Sequence, residues 1–343
     1  MSKIIDLRSD TVTVPTAEMR QVIAAAEVGD DVFEDDPTVK RLEQKTAEIL
    51  GLEKALFVPS GTMANQISLR TLCDPGDEVI CERGTHIVNF EVAAAPAVSG
   101  IMLSPYDGYK GRMDIQLIEN AVRPPNIHQP ITKLIALENT HNRAGGIVLD
   151  LHYIAAVKEI ARQYSLSFYL DGARIWNAAI ALGIKPGEIA RHFDMVSVCF
   201  SKGLGAPIGS AVCGRADLIK KARRIRKMFG GGMRQVGIIA SAALYALENN
   251  YSRLAEDHAN AKMLANGIRN VNGLSIDIND VQTNIVVFEL GMPVDKFLAD
   301  AKAKGLLLVP FGRNRVRAVP HLGIDNNDIA KAIEIITEAV SGN

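Results

Sequence analysis

The sequence predicts an α/β fold: a mostly parallel sheet flanked by helices, followed by a small C-terminal α+β domain. Up to about residue 250, short apolar runs alternate with helical stripes, which is typical of a parallel sheet covered on both faces. From about residue 274 the pattern changes to short strands between two helices. We therefore expect an N-terminal arm at 1–16, a large domain at 17–250, and a connecting helix with the small domain at 251–343.

The first strand of the large sheet is predicted at 55–58, after an extended arm and two helical stripes. It runs through a proline and a serine into Gly61, and a helix begins near Thr62. A small-residue loop that feeds a helix N-terminus presents free N–H groups to an anion, so Gly61 and Thr62 form a candidate phosphate site. The alternative is a tight turn without a ligand.

Further strands are predicted at 78–81, 134–137, 167–170, 197–200, 208–213, near 276, and at 285–288, 306–309 and 316–319.

Two of these strands end on residues with chemical potential. The strand at 167–170 runs into Asp171, and the strand at 197–200 runs into Ser201 and Lys202, 31 residues after Asp171. Parallel strands place such residues together at their carboxyl ends, where open α/β sheets bind ligands. A lysine that loses its proton can form a Schiff base, and an acid beside a pyridine nitrogen keeps that nitrogen protonated. The pair therefore favours pyridoxal 5'-phosphate as cofactor, although Asp171 alone could cap a helix and Lys202 alone could be a surface lysine.

The composition argues against several other classes of protein. A net charge of −1 gives no general attraction for nucleic acid or an anionic membrane. No apolar run is long enough to span a bilayer and the N-terminus lacks a signal-peptide pattern, so we expect a cytoplasmic protein. The four cysteines show no metal-ligand spacing, and we expect no metal site. The glycines at 203, 205 and 209 are spaced one residue too widely for a dinucleotide fingerprint.

A set of motifs occurs in the order known from one enzyme family. The motifs are IDLRSDTVT at 5–13, VGDDV at 28–32, PSGTMAN at 59–65, LENTHN at 137–142, DGAR at 171–174 and GGGMRQ at 230–235. In this order they resemble the L-threonine aldolases, a branch of the fold type I enzymes that depend on pyridoxal 5'-phosphate. The resemblance covers nearly the whole chain. It implies cleavage of L-threonine or L-allo-threonine to glycine and acetaldehyde. Another reaction on the same fold, β-elimination or transamination, remains open.

The resemblance also implies roles for individual residues. It places His86 over the cofactor ring as a candidate for proton transfer, and His128 near the substrate side chain. It implies that Arg317 binds the substrate carboxylate with help from Ser9 and Arg174. The full set of implied catalytic and binding residues is Lys202, His86, Asp171, His128, Gly61, Thr62, Arg174, Ser201, Lys227, Arg234, Ser9 and Arg317.

The active site is predicted to be shared between copies of the chain. A helix N-terminus supplies about half a positive charge, which under-neutralises a phosphate of about two negative charges. The resemblance places Lys227 and Arg234 at the partner's cofactor, so we expect a homo-oligomer: a dimer with composite sites, further assembled into a tetramer. Phe33 stands where many bacterial members have tyrosine after the GDDV motif. This departure leaves the preference between threonine and allo-threonine open.

Overall fold

The computed structural model of the protein describes residues 3–342. Its strands, in chain order, are β1 (Ile5–Asp6), β2 (Lys54–Val58), β3 (Glu78–Glu82), β4 (Met102–Tyr106), β5 (Gly108–Tyr109), β6 (Arg112–Met113), β7 (Thr132–Glu138), β8 (Ser167–Gly172), β9 (Met195–Cys199), β10 (Ser210–Gly214), β11 (Leu274–Ser275), β12 (Val286–Leu290), β13 (Leu306–Leu307), β14 (Val309–Pro310) and β15 (Arg315–Ala318).

Helices separate most of these strands. They are α1 (Ala17–Ala24), α2 (Pro37–Leu50), α3 (Gly61–Leu72), α4 (His86–Asn89), α5 (Ile115–Ala121), α6 (Leu151–Gln163), α7 (Ile175–Leu182), α8 (Pro186–Ala190), α9 (Ala216–Met228), α10 (Gly237–Asn249), α11 (Leu254–Ile268), α12 (Val294–Ala303) and α13 (Asn326–Ser341). Among residues 3–342, no helix combines the length and apolar character that a membrane span requires.

The large sheet has seven strands in the order β2-β10-β9-β8-β7-β3-β4 and is mostly parallel, as predicted. The exception is β10, which pairs antiparallel with both β2 and β9. Only residues 200–209 separate β9 from β10, and no helix lies among them. Because a parallel crossover needs a dozen or more residues, usually including a helix, this short connection makes β10 turn back. Both faces of the sheet are covered by large clusters of buried apolar side chains.

The small sheet has four antiparallel strands in the order β11-β12-β15-β14 and encloses its own apolar cluster with α11, α12 and α13. The N-terminal arm joins this part of the molecule, because β1 pairs in parallel with β13 and the Val319 amide donates to the Leu7 carbonyl. The expected domain boundaries at residues 16 and 250 stay a prediction.

The sequence missed the edge strand β4 and the hairpin of β5 and β6. Pro105 interrupts the strand pattern of β4, and proline is tolerated in a sheet mainly on such edge strands because it cannot donate to a neighbour.

The parallel strands β3, β7, β8 and β9 lie side by side, so their carboxyl ends lie along the same edge of the sheet. The segments that follow them bring the chemically active residues together.

Candidate active site

A cavity of about 390 Å³ lies at this edge, between the large sheet, the N-terminal arm and the small sheet. Its walls include seven of the residues singled out in the sequence: Lys202, Asp171, His86, Arg174, Arg317, Ser9 and Gly61. Asp171 and Lys202, which the strand-end argument expected to lie together, thus line the same cavity. The roles of these residues stay predictions at this point.

Lys202 and Asp171 follow neighbouring parallel strands. Asp171 lies near the end of β8 opposite Ser197 of β9, and Lys202 lies in the segment after β9. The carboxylate of Asp171 is buried and accepts from Asn65 Nδ2 at 2.8 Å and from the Ala173 amide at 3.1 Å. Helix α7 begins at Ile175 with Arg174 as its N-cap residue. Asp171 therefore does not cap α7, and its carboxylate lines the cavity instead.

A buried network that the sequence did not reveal supports Asp171. Asn65 of α3 donates to both Asp171 and Glu91, while its own carbonyl oxygen accepts from Tyr169 at 2.6 Å and Ser197 at 3.1 Å. The Glu91 carboxylate accepts from Asn65 at 2.6 Å and from Gln66 at 2.7 Å. Glu91 belongs to no motif. The only signal it leaves in the sequence is a lone carboxylate beside an apolar run.

His86, the first residue of α4, is held from two sides. Its amide donates to Glu138 at 2.6 Å, and its Nδ1 lies 2.8 Å from the Glu91 carboxylate. Burial disfavours the charged imidazole, but the hydrogen bond to Glu91 and the negative charges of Asp171 and Glu91 outweigh it, so the pKa of His86 is raised. His86, Glu91 and Asp171 also bring three potential metal ligands within 4.8 Å of one another. The expected absence of a metal stays a prediction.

Replacing Glu91 with glutamine is expected to lower the pKa of His86, because an amide removes the negative charge that stabilises the imidazolium. The pH at which His86 is half protonated should shift downward in an NMR titration of the protein without cofactor. His192 is the matched internal control, because its lowered pKa is set by burial and by Lys158 and Arg191, far from Glu91 along the chain. An unchanged His86 titration would show that Glu91 does not govern its protonation.

Arg174 forms a buried, bidentate ion pair with Asp10 of the N-terminal arm. Its Nε and Nη2 donate to the two carboxylate oxygens at 2.9 and 2.8 Å, and Asn284 donates to the same carboxylate at 3.3 Å. Burial opposes ionisation of Asp10, but the charge and hydrogen bonds of Arg174 outweigh it and hold its pKa well below the ordinary value. The Ser9 hydroxyl beside this pair accepts from the Thr11 amide at 3.2 Å and from the Thr11 hydroxyl at 2.9 Å.

The sequence singled out two arginines of this cavity, Arg174 and Arg317. Unlike Arg174, Arg317 of β15 has no carboxylate within hydrogen-bond distance among residues 3–342. It donates to the neutral oxygens of Asn142 at 3.0 Å and Arg8 at 3.1 Å, and its Nε is buried without a partner. Burial and the positive charges of Arg174 and Arg143 lower its pKa to about 10, so it stays protonated at neutral pH. A carboxylate in the cavity would compensate this charge.

The first turn of α3 borders the cavity through Gly61. Ser60 caps this helix by accepting from the Met63 amide at 3.2 Å, and a helix leaves its first N–H groups, here those of Gly61 and Thr62, without an acceptor inside the helix. A side chain at Gly61 would approach only Ser210 Oγ, at 3.8 Å. Ser201 Oγ lies 3.3 Å from the Cys199 sulfur.

Five predicted site residues are not among the walls of this cavity within one chain. Thr62 and Ser201 are half-buried beside Gly61 and Lys202, which line it, and the other three are exposed. His128 is exposed in the segment between α5 and β7, and Lys227 is exposed near the end of α9. Arg234 is also exposed and pairs with Asp30 at 3.1 Å. The structure therefore brings together the residues of the sheet edge and leaves these three on the surface.

Sequence comparison identifies the family. The sequence model of the β-eliminating lyases matches residues 6–290. The low-specificity L-threonine aldolase of Escherichia coli K12 is 41% identical over 330 residues, which cover 96% of this chain and 97% of that protein. This chain belongs to the L-threonine aldolase family of the β-eliminating lyases. The resemblance read from the motifs is thereby confirmed, and with it the assignment to an enzyme family of lyases.

Other members of the L-threonine aldolase family agree with this assignment. Low-specificity L-threonine aldolase 1 of Arabidopsis thaliana is 40% identical over 344 residues, covering 98% of this chain and 96% of that protein. The threonine aldolase structure from Leishmania major superposes with a TM-score of 0.84 at 19% identity, over 98% of this chain and 99% of the other. This superposition confirms the fold type I architecture.

Proposed function

We propose that this protein is an L-threonine aldolase that depends on pyridoxal 5'-phosphate and cleaves L-threonine or L-allo-threonine to glycine and acetaldehyde. The observation that carries the proposal is the placement of Lys202, Asp171 and Arg317 around one cavity. An amine, a buried carboxylate and an incompletely satisfied guanidinium are the groups that a pyridoxal enzyme needs for its cofactor and for an amino acid. The 40–41% identity to low-specificity L-threonine aldolases supports this particular reaction among those of the fold.

The donor set fits the cofactor. Lys202 would hold it covalently, Asp171 would face its pyridine nitrogen, and Gly61 and Thr62 would bind its phosphate at the start of α3, with Ser201 nearby. When bound, the cofactor supplies an electron sink for the bonding electrons released at the substrate Cα. The network through Asn65 fixes Asp171 in place. A fixed carboxylate of this kind maintains the charged partner that the electron sink requires.

Arg317 holds the substrate carboxylate in this proposal, with Ser9 and the Arg174–Asp10 pair beside it. Holding the carboxylate orients the amino acid, so that the bond between Cα and Cβ can be aligned for cleavage. With the cofactor bound, His86 would lie against its ring and would move the proton of the β-hydroxyl. The hydrogen bond to Glu91 and the nearby carboxylates raise the pKa of His86, which favours its protonated form.

Arg317→Gln is expected to raise the concentration of L-threonine needed for half-saturation by roughly tenfold or more, because a charge-assisted hydrogen bond is lost. Titration of the cofactor's absorption band with L-threonine measures this, and the band before addition should match that of the wild type. Arg313→Gln is the matched control, since Arg313 precedes the same strand and lies outside the cavity walls. Equal titrations for wild type and Arg317→Gln would contradict the assignment.

We further propose that two chains complete each site, with Lys227 and Arg234 facing the partner's cofactor phosphate and His128 reaching the partner's substrate. All three are exposed and lie outside the cavity of their own chain, which supports contributions to a neighbouring copy. A two-fold dimer would complete both sites at once. A cytoplasmic homotetramer would contain two such dimers.

Mixing Lys202→Ala chains with Arg234→Ala chains tests the shared site. In a mixed dimer, one site carries both substitutions and the other carries neither, so activity should return to about a quarter of the wild-type value after full exchange of equal amounts. Two Lys202→Ala preparations mixed with each other serve as the control and should stay inactive. Mixed dimers that form without regaining activity would mean that each chain works alone.

Product analysis tests the reaction itself. Incubation with L-threonine should yield glycine and acetaldehyde in equal amounts. A keto acid with ammonia would instead indicate β-elimination, and a keto acid that forms only with an amino acceptor would indicate transamination.

A further inference from the structure

The cavity contains a third guanidinium, besides those of Arg174 and Arg317, that the threonine reaction does not use. Arg143 lies in the turn after β7 and lines the cavity together with Arg317. Its guanidinium carbon lies 4.9 Å from the ring centre of Phe311 and 6.0 Å from that of Phe90. Its side chain forms no hydrogen bond and no ion pair with any residue from 3 to 342. The aromatic faces attract the guanidinium but supply no counter-ion for its charge.

The turn that carries Arg143 is held firmly. The Asn142 amide donates to Glu138 at 2.8 Å, and the Ala144 amide donates to His141 Nδ1 at 3.1 Å. Gly146 packs against the segment before β12 so closely that a side chain there would lie 2.8 Å from Thr283 Oγ1. Arg143 is therefore presented to the cavity by a fixed backbone rather than by a loose loop.

The carboxylates around the cavity are engaged elsewhere. Asp10 binds Arg174, and Glu91 binds His86 and the side-chain amides of Asn65 and Gln66. Glu138 accepts from the backbone of His86 and Asn142, and Asp171 accepts from Asn65 and the Ala173 amide. The α-carboxylate of an amino acid would compensate Arg317. Threonine carries no further anionic group, so the charge of Arg143 would stay uncompensated. An anionic group on the substrate side chain would complete the balance.

The space beside Arg143 admits a longer side chain than that of threonine. A second cavity, of about 550 Å³, adjoins the first and shares Arg143 and Phe311 with it. The other cations of this second cavity have acidic neighbours: Lys110 pairs with Asp280, and Arg315 lies opposite Glu289 on the adjacent strand. Among residues 3–342, Arg143 is the basic side chain that lines both cavities.

We propose that Arg143 forms an anion subsite for the substrate side chain, so that the enzyme accepts β-hydroxy-α-amino acids bearing a carboxylate, such as 3-hydroxyaspartate. This inference rests on the proposed aldolase function. In the reaction, the β-hydroxyl loses its proton and its C–O bond becomes a carbonyl, while the bond between Cα and Cβ breaks. The electron pair of that bond remains with Cα, which takes up a proton. The products are glycine and glyoxylate, and no oxidant or reductant is needed.

The test compares kcat/KM for L-3-hydroxyaspartate, in both threo and erythro forms, with kcat/KM for L-threonine. We expect the cofactor-loaded wild type to produce glycine and glyoxylate in equal amounts. Arg143→Gln should lower the ratio of the two kcat/KM values by at least about tenfold, because only the diacid loses a charge-assisted contact. Arg143→Lys should retain more of the ratio than Arg143→Gln does.

Arg315→Gln is the matched control. Arg315 contacts the same Phe311 ring, at 5.6 Å, but borders only the second cavity. It should leave the ratio unchanged. The subsite is refuted if the wild type cleaves threonine but not hydroxyaspartate, if Arg143→Gln leaves the ratio unchanged, or if Arg315→Gln lowers it equally. A loss of oligomer in Arg143→Gln with an unchanged ratio would assign Arg143 to a contact between copies.

Binding separates failure of the subsite from failure of the proposed function. L-Aspartate and L-2-aminobutyrate lack the β-hydroxyl and cannot undergo the cleavage, yet they differ in the same side-chain carboxylate. Calorimetry should show that Arg143→Gln weakens L-aspartate relative to L-2-aminobutyrate by a similar factor. If no β-hydroxy amino acid is cleaved, the aldolase function is wrong, and this binding ratio still decides the subsite: a fall supports it, and an unchanged ratio overturns it.

Discussion

Lys202→Ala is expected to abolish the cleavage of L-threonine, with a loss on the order of 10³-fold or more, as is usual when a catalytic nucleophile is removed. The physical reason is that alanine has no amine to attach the cofactor, while the cavity walls otherwise remain intact. The measurement is the initial rate of glycine formation with saturating L-threonine and added cofactor. The fold should be unaffected, because Lys202 lies in a segment after β9 and forms no ion pair with any residue from 3 to 342.

A second lysine provides the control for this experiment. Lys158 of α6 donates to the Arg191 carbonyl at 3.3 Å and lies outside the cavity walls, so Lys158→Ala should keep wild-type activity. Borohydride reduction of the wild type followed by peptide mapping should find the pyridoxyl group on Lys202. A label on another lysine, or an active Lys202→Ala protein, would overturn the site assignment.

Asp171→Asn is expected to reduce turnover roughly ten- to 150-fold while the protein still retains its cofactor. Hydrogen bonds to charged groups contribute about 1.5–3 kcal/mol, and asparagine removes the charge that favours a protonated pyridine nitrogen. The phosphate site at Gly61 and Thr62 does not depend on this carboxylate. Turnover is measured with L-threonine, and retention is measured as the cofactor released on denaturation.

The matched control is Asp194→Asn. Asp194 precedes β9 and accepts from the Phe168 amide of β8 at 2.8 Å, so it joins the same two strands at the opposite edge of the sheet. It should leave the cofactor's absorption band and the turnover per folded molecule at wild-type values. Asp171 would have only a structural role if its variant kept full turnover, or if both variants lost activity in proportion to their loss of folded protein.

The sequence indicated that Asp171 and Lys202 lie close together because strand periodicity is local, and both line one cavity. A buried strand that ends on Asp171 or Lys202 can be recognised without tertiary contacts, and parallel pairing then places the two ends together. The reversed strand β10 could have been anticipated from the short segment at 200–209. The edge strand β4 was hidden, because Pro105 weakens its local pattern.

The supporting contacts could not be predicted, because they join residues far apart in the chain. Asp10 binds Arg174 across 164 positions, and Asn65 binds Asp171 across 106. No local pattern distinguishes Glu91 or Arg143 from an ordinary polar residue beside an apolar run or in a turn. His128, Lys227 and Arg234 present the converse case, since a single chain leaves them exposed, and the predicted roles of Lys227 and Arg234 require another copy.

The most direct measurement of the central claim follows the cofactor and the products in one experiment. Purified protein loaded with pyridoxal 5'-phosphate is mixed with L-threonine while its visible absorption band is recorded and the products are quantified. The account predicts that the band changes on addition of L-threonine and that glycine and acetaldehyde accumulate in equal amounts over many turnovers. A band that L-threonine leaves unchanged, or a keto acid in place of glycine and acetaldehyde, would contradict it.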